Sequence, residues 1–168
     1  MDVDRSFNIG RMGSPLALLL SFLVCFAALR LGSVLTVPNI GPWYGPLAKP
    51  FFTPPNWAFP VVWPILFALM SVALWRVAAR SGVPLAANRA LLPFAVQLLL
   101  NIAWSWAFFA SRSPPFGMAV ILALLAAIAW TIAAFRRYDA LAAWLLAPYI
   151  LWVAYAALLN AAIWRLNP

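Results

Sequence analysis

The sequence has no histidine, a single cysteine (Cys25) and three acids, Asp2, Asp4 and Asp139. Each shortage removes a class of chemistry. One cysteine cannot close a disulfide within the chain, and zinc centres built from His and Cys lack their ligands. Ser-His-Asp triads and paired-carboxylate acid–base machinery lack their parts as well. The acids fall in the N-terminal tail or in a loop, so none lies at mid-membrane depth to relay protons, which argues against an ordinary proton-coupled transporter. The residue inventory thus offers no catalytic residue and no metal site. Charge is scarce overall: 8% of 168 residues, where a soluble domain carries about 25% to cover its surface.

What is present points to lipid. Hydrophobic residues make up 67% of the chain, and the mean hydropathy is +0.96. An outer surface this apolar faces a bilayer, and the chain reads as an integral membrane protein. The net charge of +8 does not signal nucleic acid. The basic residues stand singly or in pairs at the ends of apolar runs, where they set topology and meet headgroups.

The apolar runs predict five transmembrane helices, over residues 15–37, 60–80, 89–110, 116–135 and 140–164. Each has about 20 residues, as hydrocarbon thickness demands at about 1.5 Å per residue. Residues 1–14 read as a polar tail and 15–168 as one all-α transmembrane bundle. Arg5 and Arg11 ahead of an apolar run resemble a signal peptide, but the run continues through Arg30 with no small-x-small cleavage site. Arg30 is expected to snorkel from about two turns below the helix end. Pro148 is expected to kink the fifth helix. Arg5, Arg11, Arg80, Arg89, Arg136 and Arg137 collect on one side, against Lys49, Arg112 and Arg165 on the other. The positive-inside rule then puts the N-terminus in the cytoplasm.

One stretch fits neither helix nor solvated loop. Trp43 to Trp63 reads WYGPLAKPFFTPPNWAFPVVW, with prolines at 46, 50, 54, 55 and 60 interleaved with rings. So many fixed φ angles and missing donors preclude one regular helix, and so many rings are out of place in water. The expectation is a lid over residues 38–59 that covers one end of the bundle.

Three helical stripes face the interior beneath it. Gln97, Asn101, Trp104 and Phe108 recur at spacings of four, three and four, which is one helix face. Tyr149, Trp152, Ala156 and Asn160 form a second, with Ala156 leaving room beside Trp152; Trp63, Phe67 and Met70 form a third. Such rings with a few amides can make a pocket for a flat apolar ligand. The same amides can equally serve as interhelical glue, and the residues alone leave the two readings level. Ala119, Ala123 and Ala127 permit close helix approach, within one chain or between two copies.

WYGPLAKPFFTPP followed by VVWPILF resembles the signature of the tryptophan-rich sensory protein (TspO) and translocator protein family, once called peripheral-type benzodiazepine receptors. QLLLNIAW and APYILWVAYAALLN are similar to it too, and the resemblance covers residues 16–167 in order. It implies a five-helix bundle, often a homodimer, that binds porphyrins of the protoporphyrin IX type and other flat hydrophobic molecules, with no obligatory cofactor. By motif the ligand-binding residues would be Tyr44, Pro54, Trp63, Phe67, Asn101, Trp104, Trp152 and Ala156. Phe108 joins them through its stripe, Phe116 falls where mammalian members carry Trp, and Lys49 near the lid could pair with a propionate. With no His to ligate iron, metal-free porphyrin is physically easier than haem, although Met or Tyr ligation is open. Light-dependent porphyrin degradation and sterol or porphyrin transport are the alternatives that the resemblance carries. Sterol recognition near the C-terminus would need a Tyr where this chain has Ala161 and Ala162. The expected setting is a bacterial cell membrane.

Overall fold

The computed structural model describes residues 15–81 and 89–168. The expected N-terminal tail and the turn around Gly82 and Pro84 lie outside the described residues. Everything described is helix, turn or short connection. α1 (Pro15–Asn39) continues through one π turn, Ile40–Tyr44; α2 is Ala58–Arg80. α3 (Leu91–Ser105) also ends in a π turn, Trp106–Ala110, and α4 is Pro114–Arg136. The last crossing has two pieces, α5 (Ala140–Leu145) and α6 (Ala147–Leu166). Among the described residues five spans are long and apolar enough to cross a membrane, and the chain is a multi-pass, all-α membrane bundle.

Several boundaries shift from the sequence reading for local reasons. Pro38 does not end α1, because its φ suits a helix and its missing N–H costs one bond near the end of the element. The π turn closes with the Gly45 amide donating to the Ile40 carbonyl at 2.7 Å. Only glycine fits there: a Cβ on Gly45 would lie 2.6 Å from the Gly41 carbonyl oxygen. α2 opens at Ala58 rather than at Pro60, which leaves the proline in the first turn, where its missing donor is one of the helix's unpaired ones anyway. The lid therefore contracts from residues 38–59 to 45–57. The fifth helix breaks at Leu146, since Pro148 has no N–H for the Trp144 carbonyl.

α4 starts as its sequence dictates. Ser113 caps it, its Oγ accepting from the Phe116 amide at 3.4 Å, and Pro114 and Pro115 fill the first turn. Asp139 does the same for α5, accepting from the Leu141 amide at 3.0 Å.

The helices close a ring. α1 packs on α2 and α3, α3 on α4, and α4 on α5 and α6; α2 returns to α5. α2 and α6 make at most marginal backbone contact, so the ring has its seam between them at the end where α2 begins. Inside, Phe67, Met70, Val77, Ile121, Ile128 and Tyr149 are wholly buried, and Phe94 stacks on Phe135 at 5.6 Å. At the opposite end from the lid, Arg76 Nε and Arg80 Nη1 both reach Asp139, at 2.7 and 2.6 Å. This pins the end of α2 to the start of α5. Burial pushes the Asp139 carboxyl up, but the Arg76 hydrogen bond, the Leu141 amide and both guanidinium charges outweigh it and hold the pKa below the usual carboxylate value.

Candidate functional site

Beneath the lid, rings from four elements meet. The π turn of α1 delivers Trp43 and Tyr44, and the π turn of α3 delivers Phe108 and Phe109. Trp43 stands edge-on to Phe108 at 5.3 Å and to Phe109 at 6.3 Å, and Tyr44 meets the same two rings at 6.3 and 5.7 Å. The wider turns matter, because each shifts the following side chains relative to the helix face before it. Trp104 stacks flat on Phe108, 5.5 Å and 19° apart. Leu159 and Ile163 of α6 complete this cluster, with Phe59 of α2 at its edge. Gly117 lets α4 come close: a Cβ there would lie 2.9 Å from Phe108 Cδ2.

On the seam side, Phe59 stands edge-on to Trp152 at 6.0 Å, and Trp152 meets Tyr155 at 5.8 Å. Trp63 lies 6.1 Å from Phe67. Trp63, Trp104, Trp152 and Ala156 all pack against the main core while remaining half-buried. Phe59 and Trp104 thus join two ring clusters that the sequence stripes present separately.

Polar groups sort into two kinds. The amides bridge helices: Asn101 Nδ2 donates to Tyr149 Oη at 3.0 Å, and Asn160 Nδ2 to the Pro114 carbonyl at 3.1 Å. Gln97 Nε2 points at Met70 Sδ, 3.8 Å away. The other kind has no partner. Tyr44 Oη, Trp104 Nε1 and Trp152 Nε1 are buried with none among the described residues, and a buried donor left unpaired costs about 1–3 kcal/mol.

The lid is tied down at defined points. The Lys49 ammonium lies 4.7 Å above the Tyr44 ring and donates to the Gly45 and Leu47 carbonyls at 2.7 and 3.1 Å. An ammonium has three donors, so one is left for an anion. Tyr155 Oη donates to the Phe52 carbonyl. Asn167 pairs with both backbone groups of Ala48. Phe51 is fully exposed, Trp57 largely so, and Pro54 is half-buried.

Of the residues expected at the site, Tyr44, Trp104 and Phe108 form one cluster under the lid. Trp63, Phe67, Trp152 and Ala156 line the seam side, and Lys49 and Pro54 belong to the lid. Asn101 sits deeper, engaged with Tyr149. Phe116 does not join them: it is exposed and stands edge-on to Trp106 at 5.5 Å, while its neighbour Gly117 is the residue that faces Phe108. Trp43, Phe59, Phe109, Tyr155 and Asn167 complete the arrangement without having been singled out. Tyr155 carried a signal, three residues beyond Trp152 on a neighbouring face; Asn167, the penultimate residue of the sequence, carried none.

Residues 20–165 match the model of the TspO/MBR family. The chain is 40% identical over 153 residues to the tryptophan-rich protein TspO of Chlorobaculum tepidum, spanning 91% of this chain and 97% of that one. It is 37% identical over 150 residues to protein CrtK of Rhodobacter capsulatus (88% and 90% covered). To the translocator protein of Homo sapiens it is 34% identical over 128 residues (74% and 75% covered).

Proposed function

The chain belongs to the TspO/MBR family, and from that premise we propose that it is a membrane receptor or carrier for porphyrins and other flat hydrophobic molecules. The ligand binds among the rings between the lid, α3 and α6. The observation that carries this reading is that three of the four unpartnered buried donors among the described residues, Tyr44 Oη, Trp104 Nε1 and Trp152 Nε1 but not Trp75 Nε1, are set in this aromatic cluster. An apolar macrocycle offers faces for the rings to stack on, and its nitrogens or propionates offer acceptors to those donors. The free donor of Lys49 suits a propionate at the lid edge. The rings already touch one another, so entry of a macrocycle requires the lid to lift and the seam between α2 and α6 to widen. The setting is a bacterial cell membrane, with the lid on the face opposite the cytoplasm by the distribution of basic residues.

The experiment is tryptophan-fluorescence quenching by protoporphyrin IX in the dark. Wild type should give saturable quenching in the micromolar range, weakened by Trp152→Ala. Lys49→Ala should weaken binding of the dicarboxylic porphyrin and leave an uncharged flat ligand unaffected. Linear quenching insensitive to Trp152→Ala would mean partition into detergent, and the reading would fail.

A further inference from the structure

α1 presents two faces of opposite kind. Small residues, Ala17, Ser21, Cys25, Ala28 and Gly32, are buried and seat it in the bundle; a Cβ on Gly32 would lie 3.2 Å from Ser105 Oγ of α3. Two positions on from the last four of these, and so about 200° round the helix, stand Leu23, Ala27, Arg30 and Val34. With Leu20 and Val37 they recur at alternate spacings of three and four, all exposed. That is the seam pattern of a helix that packs lengthwise on another. An apolar stripe in a bilayer is satisfied by lipid, but the arginine within this one is not.

Arg30 lies fifteen residues after Pro15 and fourteen before Tyr44 in the first span, roughly 21 Å from either end. The π turn that lengthens the span puts it deeper than the two turns expected from sequence, too deep for its three-methylene stem to snorkel out. It has no hydrogen bond, ion pair or ring contact among the described residues. A lipid-facing charge at mid-span is costly, and such residues pair with an opposite charge. The chain supplies none: Asp2 and Asp4 precede α1, and Asp139 is held by Arg76 and Arg80 where α2 ends. Headgroup phosphates do not come to this depth. A second copy does not help either, because it inserts in the same orientation and sets its own Arg30 opposite at equal depth.

We propose that this face docks a transmembrane helix of another protein that carries an Asp or Glu near its own middle. Arg30 holds the carboxylate in a charge-assisted contact. Room for it lies beside the small Ala27, which with Phe22, Leu23 and Phe26 lines an open groove of about 410 Å³ that ends at Arg30. Phe22 and Phe26 stack at 5.8 Å and 19° and give the partner's apolar side chains a stiff wall. An unpaired carboxylate at mid-span is as costly to its own helix as Arg30 is to α1, so pairing relieves both. Apolar side chains gain little from each other over lipid; the charge pair therefore selects the partner, and the stripe fits its surface. α1 borders α2 and α3, so a helix on this face leaves the seam between α2 and α6 open.

The test uses the full chain in phosphatidylcholine vesicles with a synthetic Leu-Ala transmembrane peptide, about 20 residues long, carrying one central Glu. Energy transfer between labels on the two N-termini reads association, at a mildly alkaline pH that keeps the Glu ionised. Wild type should bind the Glu peptide saturably and about tenfold more tightly than peptides with central Gln or Leu, the scale of one charge-assisted bond. Arg30→Leu should remove that preference and Arg30→Lys should keep it. Ala27→Leu, which fills the space and leaves the charge, should weaken the Glu peptide as well. Equal transfer for the Glu and Leu peptides in wild type overturns the proposal, as does a Glu preference that survives Arg30→Leu. Transfer between copies of the chain that Arg30→Leu abolishes would overturn it in favour of a contact between copies. Displacement of the Glu peptide by equimolar oleate would overturn it in favour of a free carboxylate lipid.

Discussion

The side-chain amide of Asn167 pairs with the backbone of Ala48 as one strand pairs with another. Asn167 Oδ1 accepts from the Ala48 amide at 3.0 Å, and Nδ2 donates to the Ala48 carbonyl at 3.0 Å. The residues are 119 positions apart. Nδ2 also donates to the Ile163 carbonyl at 2.8 Å, so the clasp is anchored to the last turn of α6.

Breaking that clasp should act on rates more than on stability. Asn167→Ala removes neutral bonds at an exposed site, worth about 1 kcal/mol together, and should speed both association and release of a porphyrin. Tyr155→Phe, which frees the Phe52 carbonyl, should add to the effect. Stopped-flow quenching checks it, and hydrogen exchange at the Ala48 amide should rise in Asn167→Ala.

Gly117→Ala should be poorly tolerated. The added methyl would lie 2.9 Å from Phe108 Cδ2 and 3.3 Å from Phe108 Cα, so helix and ring must separate, at a cost of about 1–3 kcal/mol. Because Phe108 carries Trp104 and Tyr44 against it, porphyrin affinity should fall as well. Gly41→Ala, where an added Cβ meets nothing within 4 Å, is the matched control. Thermal unfolding in detergent distinguishes the two.

Acid should loosen the end of the bundle away from the lid. The pKa of Asp139 is lowered in the folded chain, so its stabilising contribution is complete above the ordinary carboxylate value of about 3.9. The contribution is lost as pH falls through the lower folded value. Asp139→Asn should cost about 2 kcal/mol at neutral pH, the scale of hydrogen bonds to a charged group, and should flatten the acid limb of the unfolding curve. Arg76→Ala should cost more than Arg80→Ala, because Arg80 is the more exposed partner. Equal acid sensitivity in wild type and Asp139→Asn would refute this assignment.

These particulars show where sequence suffices. The spans were legible because lipid imposes long apolar runs and basic ends, and the lid because Pro and ring residues alternate nowhere else so densely. Helix ends were less so. Pro38 reads as a terminator in isolation, yet near the end of a helix it forfeits only one bond; Pro148 reads as a kink and interrupts the helix at one residue, Leu146, within a single span. Among the site residues, stripes at helical spacing found Trp104, Phe108 and Trp152, since periodicity reports a shared face. The two π turns that carry Tyr44 and Phe108 to each other change that periodicity and were invisible. Phe116 was placed by motif, and motif does not encode how far a capped helix is rotated.

Asp139 shows the same limit. It was legible as a loop acid ahead of an apolar run, and Arg76 and Arg80 share a helix face by their spacing. Nothing local says that the end of α2 abuts the start of α5 across 63 residues of chain.

The prolines of the lid bear on how few ties it needs. Between Gly45 and Trp57 they occupy positions 46, 50, 54 and 55, and each fixes its own φ and restricts the residue before it. A segment stiffened this way gains little chain entropy when it leaves the bundle. The Ala48 and Phe52 backbone contacts therefore oppose only a weak tendency to open, and the lid once lifted keeps much of its shape, so that closing over a ligand loses little disorder.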